Sequence, residues 1–393
     1  SGVRLRYSAF YKDYLIDEPM TTYFNLFRLP VTFLLVALCS PLFASAEMTL
    51  FKSGEEGYSN YRIPSLITTK AGSLLAFSEA RKDHRGDSGN IDLVAKRSTD
   101  NGKTWSELYI VWDAGDDTAG NPCLVVDQKT GRIINLVCWN LATDHGRDLH
   151  TGNAEDTRRV YQTYSDDDGL TWSEPQEITA NVKDTDWFWY ATGPGIGIQL
   201  THGPHKGRLV IPANHTTEDY YGAHSLYSDN GGETWNVSSI IKPMVNESQV
   251  IELSDGRLMM NMRTQGISQT IRPYLGYRSI SYSSDGGETW TDPISDNELG
   301  DPICQASIIR YDEDHILFSN PNPPVSLKRG PRESMTIRLS KDDGTTWSEG
   351  LIVYEGPAAY SSLTKISDGK VGLLYEKDKD IAFAKIPLDK IAN

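Results

Sequence analysis

Cysteine is scarce in this chain, with four in 393 residues, and Cys39 lies in an N-terminal apolar stretch that reads as removable. The other three, Cys123, Cys138 and Cys304, lack the spacing of a metal site, and their odd number leaves at least one thiol unpaired in a monomer. Buried thiols are the expectation; a Cys123–Cys138 bridge across the hairpin around Lys129-Thr130-Gly131 is the alternative. Basic residues are outnumbered, 38 Lys and Arg against 53 Asp and Glu, for a formal charge of −15, which disfavours nucleic acid and anionic membranes as partners. An anionic ligand would need a local arginine cluster inside this acidic shell. No apolar run is long enough to span a bilayer, which takes roughly 20 residues: Leu29 to Phe43 is short of that and is interrupted by Pro30 and Pro41. After Glu47 no long amphipathic helix pattern appears, and Gly and Pro recur at short intervals, so the fold class expected is all-β.

What the chain has in quantity is one short pattern. Ser98-Thr99-Asp100-Asn101-Gly102-Lys103-Thr104-Trp105 sets a frame, Ser-x-Asp-x-Gly-x-Thr-Trp, that returns at Ser165 to Trp172, Ser228 to Trp235, Ser283 to Trp290 and Ser340 to Trp347. Asn230 replaces the Asp in the third copy, and Asn accepts the same local hydrogen bonds. The Asp can bond N–H groups two and three residues on, the Gly supplies a positive φ, and the Trp packs back on the sheet. The pattern is therefore a hairpin clasp, and strand-like segments such as Ile91 to Ser98 and Ser279 to Ser283 precede it. These turns are too short to wrap a calcium ion.

The clasps start 67, 63, 55 and 57 residues apart, a period suited to one small antiparallel sheet plus loops. Repetition at that period predicts a six-bladed β-propeller of four-stranded antiparallel sheets over residues 47–393. With five clasps present, the last blade is expected to combine both termini, the strand around Met48 to Phe51 completing the sheet of Ser361 to Phe383. Asp144 to Glu155 and Pro321 to Arg332 are polar and Pro-rich insertions expected as rim loops. Residues 1–19 precede Met20 and read as vector-derived or mis-annotated sequence. Residues 20–46, with Arg28, the apolar run and Ala44-Ser45-Ala46, read as a signal peptide, so a secreted or periplasmic monomer is expected; lipid anchoring at Cys39 is the alternative, opposed by the bulky Leu38.

Tyr61-Arg62-Ile63-Pro64, then Phe77-Ser78-Glu79-Ala80-Arg81 and Asp87, resemble the N-terminal signature of the exo-α-sialidases (neuraminidases), a family of six-bladed propellers with Asp-box repeats. Asn246-Glu247-Ser248-Gln249-Val250, Asn261-Met262-Arg263, Arg332-Glu333-Ser334, Tyr360-Ser361-Ser362-Leu363 and Leu374-Tyr375-Glu376 complete the family's set in order, so the resemblance covers the whole chain after the leader.

The resemblance implies roles. Arg62, Arg263 and Arg332 would grip the carboxylate that sialic acid bears on its anomeric carbon, a task for which the planar guanidinium fork suits better than an ammonium. Glu376 would support Arg62, and Arg81 would contact the sugar's C4 side. An anionic nucleophile would be repelled by that carboxylate, so Tyr360 is the expected nucleophile, with Glu247 as its base. Asp87 would be the acid and then the base, with a raised pKa; Asp83 and Asp92 flank it as competitors. No cofactor or metal is implied, and the substrates would be sialylated glycoproteins, glycolipids or oligosaccharides, cleaved hydrolytically with retention. A sialoglycan-binding propeller without turnover and a trans-sialidase are the alternatives; the first needs the arginines but has no use for an activated phenol.

Other signals are weaker. Gly193-Pro194-Gly195-Ile196-Gly197 has a Pro inside and no helix after it, so it reads as a strand turn. Trp187-Phe188-Trp189-Tyr190 is either core or a sugar-stacking platform, and His202 with His205 lacks further zinc ligands. Arg97 and Arg338, just before their clasps, read as outward strand residues.

Overall fold

The computed structural model describes residues 46–265, 276–325 and 330–392; the leader, signal-peptide and Cys39 readings fall outside the described residues. The described chain is all-β, its strands hydrogen-bonded into sheets of seven, five, nine and four strands. Each sheet is built from antiparallel runs. Asn60–Thr68, Leu74–Arg81, Ile91–Ser98 and Tyr109–Trp112 form the first, and Thr118–Val126, Ile133–Asn140, Arg159–Ser165 and Gln176–Glu177 the next. Leu209–Thr216 is flanked by Tyr190–Thr192 and Tyr221–Ser228; Val245–Glu252, Leu258–Thr264, Tyr277–Ser283 and Ile294–Gly300 come after it. Ser307–Arg310, Ile316–Pro321 and Glu333–Ser340 lead into the fifteen-residue strand Leu351–Lys365, which continues into Lys370–Lys377 and Asp380–Pro387. Ala46–Phe51 completes that last sheet, with Met48 opposite Phe383.

Several strands, among them Leu74–Arg81 and Val245–Glu252, are buried along their whole length, because each sheet is covered on both faces by its neighbours. Phe77 and Leu75 of the first run pack with Leu124 and Val137 of the second, and Leu66 and Leu74 with Leu374 and Phe383 of the last. Each such buried side chain contributes about 1.5–3 kcal/mol. Side chains also stitch separate runs together: Ser65 Oγ donates to Gly195 O (2.6 Å), Ser362 Oγ accepts from Leu66 N (3.0 Å), and Gln305, just before Ser307–Arg310, exchanges two bonds with the Ser361 backbone (both 2.9 Å). These bonds satisfy backbone groups on strand edges that no ladder covers.

The clasps close the third strand of a run onto the segment after it, and they lock adjacent runs together. Ser98 Oγ donates to Asp100 Oδ1 (2.8 Å) and accepts from Gly102 N (2.9 Å); Asp100 then accepts from Lys103 N (3.0 Å), Thr104 N (2.9 Å) and Thr104 Oγ1 (2.7 Å). The carboxylate thus bonds N–H groups three and four residues on, where two and three were expected, because the serine takes the nearer one. Asn230 makes the same acceptor bond to Thr234 N (3.0 Å) and donates its Nδ2 to Thr234 Oγ1 (2.9 Å). Gly102 has φ of +77°, and a Cβ there would sit 2.5 Å from Phe383. Trp105 packs on the same Phe383, ring centres 5.1 Å apart, and Trp172 on Phe77 at 5.4 Å.

Cys123, Cys138 and Cys304 are free and buried. The alternative Cys123–Cys138 bridge is not formed: Cys138 lies opposite Gly120 and Cys123 opposite Leu136. Arg97, read as outward, instead turns to the second clasp, where it bonds the Asp168 carbonyl (2.9 Å), the Asp168 carboxylate and Ser73 Oγ (2.9 Å).

Candidate active site

Ladder irregularities at one end of the strands aim the site residues. The pairing slips between Arg62 and Ser65, between Val245 and Ser248 and between Ala358 and Ser361, so Glu247 and Tyr360 lie inside β-bulges and Arg62 borders one. Ile63 sits at φ +59°, a strained position for a β-branched residue, just before Pro64; its N–H is redirected to Glu376 Oε1 (3.1 Å). Ser334, beside Arg332, is held at φ +60° next to another slip. A regular ladder would point these side chains alternately into neighbouring sheets; the bulges turn them to a common place.

Tyr360 is 6% exposed, and its hydroxyl donates to Glu247 Oε1. Arg263 Nη1 bonds Glu247 Oε2 (2.5 Å) and reaches the Tyr360 hydroxyl (3.3 Å), while its Nη2 donates to Gln265 Oε1 (3.0 Å). The guanidinium carbons of Arg62 and Arg332 stand 5.2 and 5.6 Å from the centre of the Tyr360 ring, and Arg332 Nη2 is steadied by Ile303 O (2.6 Å). Burial and the Glu247 charge push the Tyr360 phenol well above its ordinary pKa, while Arg263, Arg332 and Arg62 pull the other way. The resting phenol is therefore protonated, and its proton points at the Glu247 carboxylate. Burial opposes the charge on Arg62, but Glu376 and Asp87 outweigh it, so the guanidinium stays ionised.

Glu376, 2% exposed, accepts from Arg62 Nε and Ile63 N on one oxygen (both 3.1 Å) and from Arg85 Nη2 on the other (3.3 Å). Arg62, Arg85, Arg332, Ala358, Glu376 and Asp378 line a cavity of about 240 Å³. Arg81, by contrast, is 1% exposed beneath the loop that comes after it: it pairs with Glu79 (2.5 Å) and donates to the carbonyls of Arg85 and Gly86 (2.7 Å for Gly86). Asp87 stands between Arg62 Nη1 (2.8 Å) and Arg81 Nη1 (2.9 Å), its side chain still 60% exposed. Burial works against its charge, but Arg81 and Arg62 prevail and hold the carboxyl below its ordinary range, the reverse of the raised value expected of a resting acid. The cause lies in these two ion pairs, and Arg62 is a partner for which a ligand carboxylate would compete. Of the competitors, Asp92 is buried and bonded to the Tyr58 hydroxyl (2.6 Å).

Other residues of this region carried no signal of their own in the sequence. Asn121 N donates to Glu79 Oε1 (2.7 Å), a contact that needs Gly120, where a Cβ would lie 2.6 Å from that oxygen. Arg158 lies 3.9 Å over Trp189, and His150, from the short helix Gly146–Thr151 in the expected rim loop, stacks on Trp189 at 4.4 Å. Burial, then Arg158 and Arg263, push His150 down to about 4, so it is neutral at pH 7. In the aromatic run Trp187 and Tyr190 are core, and Trp189 is half-buried with Arg158 and His150 stacked on it.

The BNR repeat-like domain matches residues 72–373. Over 88% of its length the chain is 35% identical to a sialidase of Micromonospora viridifaciens, and over 86% it is 34% identical to an exo-alpha-sialidase of Aspergillus fumigatus, covering 84% of that protein. The chain belongs to the sialidase family. It spans 54% of the Micromonospora sialidase and 61% of a Bacteroides fragilis sialidase to which it is 32% identical. Among solved structures, a Hadza microbial sialidase superposes with a TM-score of 0.77 at 33% identity, covering 88% of this chain and 69% of that one. A leech intramolecular trans-sialidase shares the sialidase fold, with a TM-score of 0.74 at 21% identity over 89% of this chain and 71% of that one.

Proposed function

We propose that this chain is an exo-α-sialidase that hydrolyses terminal α-linked sialic acid with retention, on a six-bladed propeller in which each antiparallel run is one blade and Ala46–Phe51 completes the last. The observation that carries the reading is the Tyr360–Glu247 hydrogen bond set among Arg62, Arg263 and Arg332. A binding module needs the cations alone; a phenol aimed at a buried carboxylate is the equipment of a nucleophile and its base.

The arginines hold the substrate carboxylate, each charge-assisted bond worth about 1.5–3 kcal/mol. The substrate carboxylate draws Arg62 away from Asp87, which then takes up a proton from solvent; Tyr360 Oη attacks the anomeric carbon as its own proton passes to Glu247, and the glycosidic C–O bond breaks as the protonated Asp87 gives its proton to the departing oxygen. In the second half Asp87 takes a proton from water, the water oxygen attacks the same carbon, and Tyr360 leaves with the proton returned by Glu247. Two inversions give net retention, with one water consumed. The three cations offset the negative charge that grows on the tyrosine oxygen during attack. Arg81 acts from beneath, holding Asp87 and its loop. Sialylated glycoproteins, glycolipids or oligosaccharides are the substrates, met outside the cytoplasm if residues 20–46 direct export; among the described residues no helix is long and apolar enough to cross a membrane.

The deciding experiment compares the unaltered protein with Tyr360→Phe on an α-sialoside, identifying the product. Free sialic acid from the first and loss of release in the second, with sialic acid still bound, is the expected result. Binding of sialoglycans with no release by the unaltered protein would make this a recognition module. An anhydro sugar in place of free sialic acid would assign transfer within the substrate.

A further inference from the structure

The loop between Leu74–Arg81 and Ile91–Ser98 carries Asp87, and glycines flank the acid at Gly86 and Gly89, the latter at φ +106°. Such a segment has little of its own to hold it. It is nonetheless pinned on three sides. Arg81 takes the Arg85 and Gly86 carbonyls from below, and Ser88 Oγ meets His145 Nδ1 at 3.0 Å. On the third side Arg85 crosses to the C-terminal sheet, donating to Glu376 Oε2 (3.3 Å) and, at 3.5 Å, to Asp378 O.

This crossing completes a chain of alternating charge, Arg81–Asp87–Arg62–Glu376–Arg85, in which Arg62 is shared by two carboxylates and Glu376 by two cations, and its two ends meet where Arg81 donates to the Arg85 carbonyl. An anion that arrives at Arg62 and Arg332 competes with Asp87 for Arg62. Once Asp87 loses that partner, its mostly exposed side chain keeps only Arg81 and whatever fixes the loop.

We propose that Arg85 is a positioning residue: its bond to Glu376 tethers the loop Lys82–Asn90 across the cavity, so that Asp87, when the substrate carboxylate takes Arg62 from it, stays at the departing oxygen. The inference rests on the exo-sialidase reading. Arg85 is itself 43% exposed, so its replacement leaves the core untouched.

The test uses Arg85→Ala and Arg85→Lys with two α-sialosides, one whose aryl leaving group is acidic enough to depart unprotonated and one whose sugar alkoxide must be protonated. Correct placement of a general acid is worth roughly 10²–10⁴-fold, and only the second substrate uses it. For Arg85→Ala, kcat on the sialyl sugar is expected to fall at least about tenfold further than kcat on the aryl sialoside, with Arg85→Lys recovering part of the difference. Equal losses on both substrates carried by KM would mean that Arg85 binds the carboxylate directly, and equal kcat on both would mean the tether is idle; either overturns the proposal. If the unaltered protein releases sialic acid from neither substrate, the exo-sialidase reading is what fails.

Discussion

The third-position Asp of the clasps and the carboxylates at the other end of the strands are handled in opposite ways. Leu74 pairs with Ser98 and Thr68, while Arg81 pairs with Asn60, so the first clasp and the Arg62–Arg81–Asp87 cluster sit at opposite ends of one sheet. At the clasp end Asp100 and Asp285 are satisfied by hydroxyls and N–H groups within four residues, all neutral. At the other end Glu376 meets Arg62 from 314 residues away, and Glu247 meets Tyr360 from 113. Neutral donors fix an Asp in a turn and leave it nothing to do. Cations and a phenol brought together from distant strands hold protons and charge that can move.

The same isosteric change made at both ends should separate them. Glu247→Gln keeps the shape and removes the proton acceptor, and kcat on an α-sialoside is expected to fall about 10²–10⁴-fold while the circular-dichroism spectrum stays unaltered. Retention of more than a tenth of the activity would show that another group takes the Tyr360 proton. Between the extremes lies a change of shape at the clasp. Gly169 has φ of +83°, and a Cβ there would stand 2.6 Å from the buried side chain of Leu75 in the neighbouring run. Gly169→Ala should cost about 1–3 kcal/mol, read as a lower melting temperature with KM for the sialoside unchanged; an unchanged melting temperature would mean that the clasp does not couple adjacent runs. Asp167→Asn should be the smallest effect, since Asn230 already serves in the third clasp. Its trace would appear only in acid. The Thr171 hydroxyl and N–H hold Asp167 down to about 2, below its unfolded value of about 3.9, so its contribution is complete above that value and lost as pH falls toward 2. The variant should flatten that part of a stability-against-pH curve and leave pH 7 alone.

The same division explains what was legible. The clasps are contiguous, so the Ser, Asp, Gly and Thr that make them could be read as a turn, and the all-β class came from their flanks. Arg62, Glu247 and Tyr360 have no local pattern; only likeness to a family of ordered motifs picked them out, and the bulges that aim them are marked in sequence by nothing but Pro64. The fourth clasp position looks like filler in the sequence, yet Asp168 and Asp343, at φ of +63° and +57°, receive Arg97 from the adjoining run and Arg310 from the first strand of the same run. Arg85 has no signal in the sequence because its partner, Glu376, is 291 residues further along, a distance no spacing bridges.

The strand Ala46–Phe51 has as its ladder partner Asp380–Pro387. During synthesis the first of these emerges while the last does not yet exist, so its edge must wait, unpaired, for nearly the whole chain. Contacts of such sequence separation make folding slow, and an exposed edge is where one chain can pair with another. The brief strand that finishes the final sheet is therefore also a checkpoint on completeness: a molecule truncated at its C-terminus would carry a sticky edge at its beginning.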